Sequence, residues 1–308
     1  MTIKHLVISG GGPLGFRYLG ALEKLEKEGF WNVDNIESIY ATSIGAIIGV
    51  FIGLKYDWET LNKYLLERPW HDAIKVNAKQ IFDSYYNKGL FDTKIAEIIF
   101  KPLLEAKDLS INMTLKDFYE YSKIDLHIFT FDLNKFQTVE LTHTLNPELG
   151  LLKALIMSSC IPGVFMPIIM NNACYLDGGV MSNYPINQCI RDNQNKNEIL
   201  GITSVYNNED GNYGNVMVNE ESSLLEYIMC MTINSMNYIR DSVKLDSVEN
   251  TIKCMVNENP LTLNIMQECL KSSEFRKTWL KMGEDDAEQF LLSLKPIGSD
   301  NIDLKFIT

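Results

Sequence analysis

At 308 residues the chain is long enough to bury a sizeable core, and 46% hydrophobic with 22% charged residues is ordinary for a globular protein, which excludes disordered and collagen-like classes. The formal charge of −12 argues against nucleic acid, whose phosphates require clustered Lys and Arg, and disfavours simple electrostatic docking on anionic membranes. The six cysteines, Cys160, Cys174, Cys189, Cys230, Cys254 and Cys269, are scattered without a C-x-x-C pair, the usage of reduced core thiols in a cytosol-like compartment.

In chain order, the apolar, β-branched run 3–8 predicts a buried strand that enters the turn Gly10-Gly11-Gly12. The spacing of Leu19, Leu22 and Leu25 predicts a helix ended by Gly29. Residues 36–41 predict a second strand running into Ser43, followed by a buried helix over 44–54. That helix is the longest apolar run and about half of what a bilayer span requires. No signal-peptide pattern opens the chain, so the expectation is a cytoplasmic protein, at most peripheral to a membrane. Strand, helix, strand, helix in this order implies a parallel sheet with right-handed crossovers.

Residues 57–121 read as mainly helical, with an amphipathic helix over 93–104 and another over 114–122, capped by Thr114 and carrying Asp117 in its first turn. Two strands follow, 124–133 and 136–142, joined by a turn at Asn134-Lys135. Then come a short helix over 149–158, an apolar loop over 161–167 and a buried strand over 199–205. The Asn- and Gly-rich stretch 206–220 is expected to be a mobile loop. A long helix over 221–245, a strand over 251–256 and a helix over 275–292 complete the pass. There is no internal repeat and no linker long enough to separate domains, so one domain is expected across residues 1–308.

Three segments carry chemistry. Gly10, Gly12 and Gly15 fit G-x-G-x-x-G between a strand and a helix, the pattern of a dinucleotide turn. A nicotinamide or flavin site also needs a carboxylate at the end of the second strand, and that strand ends in Ala41-Thr42-Ser43. No cofactor is therefore expected. The other use of such a turn is to present the amides of Gly10, Gly11 and Gly12 at a helix N-terminus as an oxyanion hole. Ala41-Thr42-Ser43-Ile44-Gly45 has the strand-to-helix setting of a nucleophile elbow, with Ala41 in place of the first glycine, although Ser43 could equally be a plain helix cap. For a base there are two candidates. His143, with Asp132, would give the chain order of a hydrolase triad, while Asp177 in Asp177-Gly178-Gly179 is either a carboxylate base or an ordinary Asp-Gly turn. His5, His71 and His127 sit in less promising contexts, and no His, Asp and Cys cluster has metal-ligand spacing, so no metal is expected.

The three segments in this order resemble the patatin-like phospholipases. That family has a glycine-rich oxyanion loop near the N-terminus, a serine elbow after the second strand, and a later D-G-[GA] aspartate. Ser158-Ser159-Cys160-Ile161-Pro162-Gly163 and Phe165-Met166-Pro167 resemble the segment ahead of that aspartate, and Asn183 and Pro185 its N-x-P continuation. The likeness covers residues 5 to about 190, which would form a catalytic core, with 191–308 completing the fold. It implies a three-layer α/β/α sandwich with a mainly parallel central sheet. It also implies a Ser43–Asp177 dyad without a catalytic histidine, supported by Gly15, Ala41, Gly45, Gly178 and Gly179. The implied substrate is a phospholipid or other lipid ester met at a transient membrane or micelle surface, with room for an activator of unknown kind. Leu14 departs from the basic residue the family often has before the last glycine of the first motif. That departure keeps a rival open, a catalytically weak lipid-binding or interaction protein on the same fold. A His143-dependent esterase is the other alternative.

Overall fold

The computed structural model describes residues 2–74, 78–193, 195–206 and 216–294. Its strands are β1 (His5–Ile8), β2 (Ser38–Thr42), β3 (Gly89–Phe91), β4 (Asp125–Asp132), β5 (Gln137–Leu141), β6 (Gly163–Phe165), β7 (Ile168–Met170), β8 (Ala173–Asp177), β9 (Ile199–Tyr206) and β10 (Thr251–Val256). The helices are α1 (Gly15–Lys27), α2 (Ile44–Gly53), α3 (Trp58–Glu67), α4 (Trp70–Ala73), α5 (Ala78–Asn87), α6 (Lys94–Glu105), α7 (Leu115–Ser122), α8 (Leu151–Ser159), α9 (Ile186–Asp192), α10 (Leu224–Ser242), α11 (Leu263–Lys271) and α12 (Ser273–Ser293). The apolar loop expected over 161–167 contains β6, which pairs with β3 in a separate two-stranded ribbon. Strands of three residues are too short to show a period of two in sequence. Of the loop expected over 206–220, residues 207–215 lie outside the described residues.

The main sheet runs β10-β9-β1-β2-β4-β8-β7, with β5 also paired to β4. The strands from β10 to β4 are parallel, and β5, β8 and β7 join antiparallel. Side chains alternate between its faces, as the pleat requires. Leu6, Ile8, Ile39, Ala41, Leu126 and Ile128 enter the large core shared with α1, α2 and α8, whereas Val7, Tyr40 and Phe129 pack beside Ile186 and Cys189 of α9. Helices thus cover both faces, giving the expected α/β sandwich.

One feature of the register positions the site. Phe129 of β4 pairs with Thr42 on one side and Glu140 on the other, while its neighbour Thr130 pairs with Asp177 and Val139. Because β5 occupies one edge of β4 from Ile128 to Asp132, β2 and β8 share the opposite edge and meet end to end. The last residue of β2 and the last residue of β8 are thereby brought to adjacent positions along β4.

Candidate active site

Ser43 follows β2 directly and adopts φ 55°, ψ −124°, a left-handed conformation that an ordinary capping serine does not need. Holding a non-glycine residue there costs about 1–3 kcal/mol, so the surrounding structure must enforce it. Two contacts do so. The Ser43 amide donates to Ser158 Oγ at 2.8 Å, and that hydroxyl donates to the Phe129 carbonyl at 2.6 Å. On the other side, α2 crosses close over the end of β1, where a Cβ on Gly45 would sit 2.3 Å from the Ile8 carbonyl oxygen. Ala41 lies inside β2, fully buried in the core, and an extended strand residue carries its methyl without backbone strain.

The elbow turns the hydroxyl toward β8. Ser43 Oγ donates to Asp177 Oδ2 at 2.7 Å, and the Gly179 amide donates to Asp177 Oδ1 at 2.7 Å. Burial pushes the Asp177 carboxyl up to about 6, against the two hydrogen bonds, which favour the charged form. Among the described residues no cation pairs with Asp177. Gly178 packs against the Phe129 carbonyl oxygen.

The glycine turn arches beside this pair. Gly12 at φ 53° needs the left-handed region that glycine enters freely, and Gly15 begins α1 against Ile44. The Gly10 amide donates to the Asn183 carbonyl at 3.0 Å, and Asn183 Nδ2 approaches the Gly10 carbonyl at 3.4 Å. The expected donor set is therefore narrowed: Gly10 is occupied in holding the turn, and among the described residues the amides of Gly11 and Gly12 have no hydrogen-bond partner. Leu14 is buried in the main core, so its side chain does not line the cavity.

Gly10, Gly11, Gly12, Ser43 and Asp177 line one cavity of about 40 Å³. Asn183, Asn237, Arg240 and Asn259 make its wall partly polar, and Ile161, Ile233, Met236 and Leu261 close the rest. Pockets that enclose a drug-sized ligand measure roughly 300–1,000 Å³, so this cavity as it stands holds little beyond water.

The histidine alternative is corrected by the same geometry. His143 Nδ1 pairs with Asp125 Oδ1 at 3.0 Å, and its ring stacks on Tyr119. Asp125 is in register with Ser38, at the end of β2 away from Ser43. Asp132 instead accepts from the Asn134 amide. His5 binds Ser38 Oγ, and exposed His71 sits beside Asp72. Among the described residues, His127, Glu140 and Asp192 bring ligand atoms within 4.8 Å of one another. Sequence spacing could not reveal a set drawn from β4, β5 and α9. There, His127 Nδ1 already meets Glu140 at 2.6 Å and its Nε2 meets Asp125 at 3.3 Å.

Sequence reasoning identified Asn183 only as a motif match and Ser158 only as part of a run. What would have singled out Ser158 is a serine in the last turn of an apolar helix, where a buried hydroxyl needs partners. No described helix is long and apolar enough to cross a membrane.

Known proteins resemble this chain in sequence and in fold. The profile of the patatin-like phospholipases matches residues 6–190. A probable lipid hydrolase, 463L, of Invertebrate iridescent virus 6 is 30% identical over 213 residues, covering 66% of this chain and 70% of the relative. An uncharacterized protein of Acanthamoeba polyphaga mimivirus is 26% identical over 277 residues, 89% of each chain. Among solved structures, VipD from Legionella pneumophila superposes with a TM-score of 0.55 at 15% identity, covering 94% of this chain and 67% of that one, a likeness of fold.

Proposed function

The chain belongs to the patatin-like phospholipase family and is a lipid hydrolase, and on that premise we propose that it cleaves fatty-acyl esters in phospholipase A-like fashion, with Ser43 as nucleophile and Asp177 as general base. The observation that carries the proposal is the 2.7 Å contact between a serine on a left-handed elbow and a buried carboxyl poised at about 6.

Asp177 Oδ2 takes the hydroxyl proton as Ser43 Oγ attacks the ester carbonyl carbon. The electron pair displaced onto the carbonyl oxygen is held by the Gly11 and Gly12 amides, which need no rearrangement at that moment. Collapse expels the alcohol, whose oxygen takes the proton from Asp177, and leaves the acyl group on Ser43. Asp177 then draws a proton from water, whose oxygen attacks the acyl carbon. The fatty acid departs and Ser43 Oγ recovers the proton. Burial serves both halves, because it keeps the Asp177 carboxyl basic enough to accept a proton near neutral pH. Asn183 positions the turn, and Gly179 fixes the second carboxylate oxygen so that Oδ2 faces the serine.

The test is release of free fatty acid from a panel of phospholipids and neutral acylglycerols, together with labelling by a fluorophosphonate. Wild type should label and turn over, and Ser43→Ala should do neither. Folded wild type that fails to label in the presence of phospholipid vesicles would remove the enzyme reading and leave the lipid-binding one.

A further inference from the structure

Helix α10 has two faces with different partners. A capping box of Ser223 and Glu226 starts it. At 3.6 residues per turn, Met229, Ile233, Met236 and Arg240 fall on one side, and the last three line the cavity over Ser43. Leu224, Tyr227, Met231 and Tyr238 fall on the other, and they are 68%, 54%, 56% and 76% exposed. Soluble proteins seldom leave such a stripe uncovered without a use for it. The helix is attached through a small apolar cluster in which Met229 and Ile233 meet Ile161, Val164 and Leu261, apart from the main core. Its first turns pack on the β3–β6 ribbon, where Leu225 and Ile228 lie over Gly163. That ribbon continues from α5, which exposes Ile81, Phe82, Tyr85 and Tyr86.

We infer that α10 is a lid over the active site and that its outward stripe docks on a neutral or zwitterionic lipid surface, the docked state being the one in which the cavity opens. This rests on the proposed hydrolysis at Ser43 only for its consequence in turnover, not for the docking itself. Three observations select the occupant. The cavity that the helix helps to line is about 40 Å³, far too small for an acyl chain, so part of its wall must move before substrate enters. The uncovered side of that same helix is apolar with two tyrosines, and tyrosine is the residue type that seats at the boundary between hydrocarbon and water. Finally, Glu220, Glu221 and Glu226 crowd the start of the stripe in a chain of net charge −12, so an anionic surface is repelled where an uncharged one is not. A lipid surface both covers the stripe and presents the ester. A small separate cluster lets the helix shift without opening the main core.

The decisive variant is Leu224→Ser/Tyr227→Ser/Met231→Ser, three exposed changes that leave the cavity lining intact. Flotation with vesicles, done in a Ser43→Ala background so that turnover plays no part, should show the parent bound to phosphatidylcholine vesicles and bound less to phosphatidylglycerol vesicles. The triple variant should lose about tenfold or more of that binding. With Ser43 restored, it should hydrolyse phosphatidylcholine vesicles about tenfold more slowly or worse, while turnover of a short-chain ester below its micelle threshold stays within about twofold. Equal flotation of variant and parent overturns the inference. So does a parent that is a dimer and a variant that is a monomer, since the stripe then covers a second copy. If the parent floats but hydrolyses neither substrate, the catalytic reading fails and the docking surface stands.

Discussion

At the carboxyl end of β2, one serine and one aspartate meet in a buried place where, among the described residues, no cation balances the carboxyl and the backbone is held in a strained turn. Toward the other end of the same strands, three of the four histidines gather around Asp125 and Glu140, and each histidine has a hydrogen-bond partner. His127 lies between Asp125 and Glu140, His143 pairs with Asp125, and His5 binds Ser38. Burial acts at both places with opposite results. It raises Asp177 to about 6 because its charged form has only a hydroxyl and one amide to hold it. It would lower His127, but Asp125 and Glu140 outweigh it and hold the imidazolium up to about 9. Despite burial, Asp125 stays below the usual carboxylate range because His127 and His143 stabilise its charge. Histidine is the usual sign of proton transfer, yet here the histidine-rich end has its charges neutralised in pairs. Of the two ends, the Ser43–Asp177 end is the one whose buried carboxyl has no ion pair among the described residues, as the proposed reaction requires.

The largest expected effect separates the two ends directly. Ser43→Ala or Asp177→Asn should lower kcat/KM on a lipid ester by more than about 10³-fold, as loss of a nucleophile or its base does elsewhere. His143→Ala should stay within about twofold on the same assay, since that ring is a packing and ion-pair group with no path to Ser43. The reverse pattern would restore the triad reading. Next in size is the positioning of the oxyanion turn. Asn183→Ala should reduce kcat by about tenfold with little change in KM: it removes the Nδ2 contact to the Gly10 carbonyl but keeps the backbone bond to the Gly10 amide, and slack in the turn is felt mainly in the transition state. An equal loss in KM alone would show that Asn183 acts on binding.

The pH profile should give a smaller and equally pointed difference. With Asp177 the base, kcat/KM should rise with pH through about 6 and lie about tenfold below its plateau one unit lower. His143→Ala should leave that limb where it is.

The smallest effects are on stability, and their signs follow from the two raised values. A group whose pKa is higher folded than unfolded adds stability at low pH and loses it as pH rises through the folded value. Asp177 therefore stops helping as pH climbs from about 4 to about 6, and Asp177→Asn should be about 1–3 kcal/mol more stable than wild type at pH 8, read by denaturant unfolding. His127 keeps its contribution until pH rises from about 6.5 through about 9. His127→Gln should accordingly cost up to about 3 kcal/mol at pH 6, and the gap should shrink by pH 10.

Much of this molecule is legible from local chemistry. The expected strand starting near residue 3, the helix ended near Gly29 and the Thr114–Asp117 capping box all appear, because a period, a left-handed glycine and a cap each act within a few residues. The elbow at Ser43 and the turn at Gly10–Gly12 belong to the same class, and so does the Asp177-Gly178-Gly179 turn. Their order alone was enough to mark a patatin-like chain. Short strands such as β3, β6 and β7 left no period to read.

Tertiary structure decided the rest. Ser43 and Asp177 are 134 residues apart, and only the pairing of β2 and β8 along one edge of β4 sets their oxygens at 2.7 Å. Long-range packing likewise placed His143 near the far end of β2, engaged Gly10 with Asn183, and made one face of α10 part of the cavity wall. Sequence determines which groups are present and how each turn is shaped, because those depend on near neighbours. Which groups share a buried space, and therefore which proton is free to move, depends on strand register and helix packing across the whole chain.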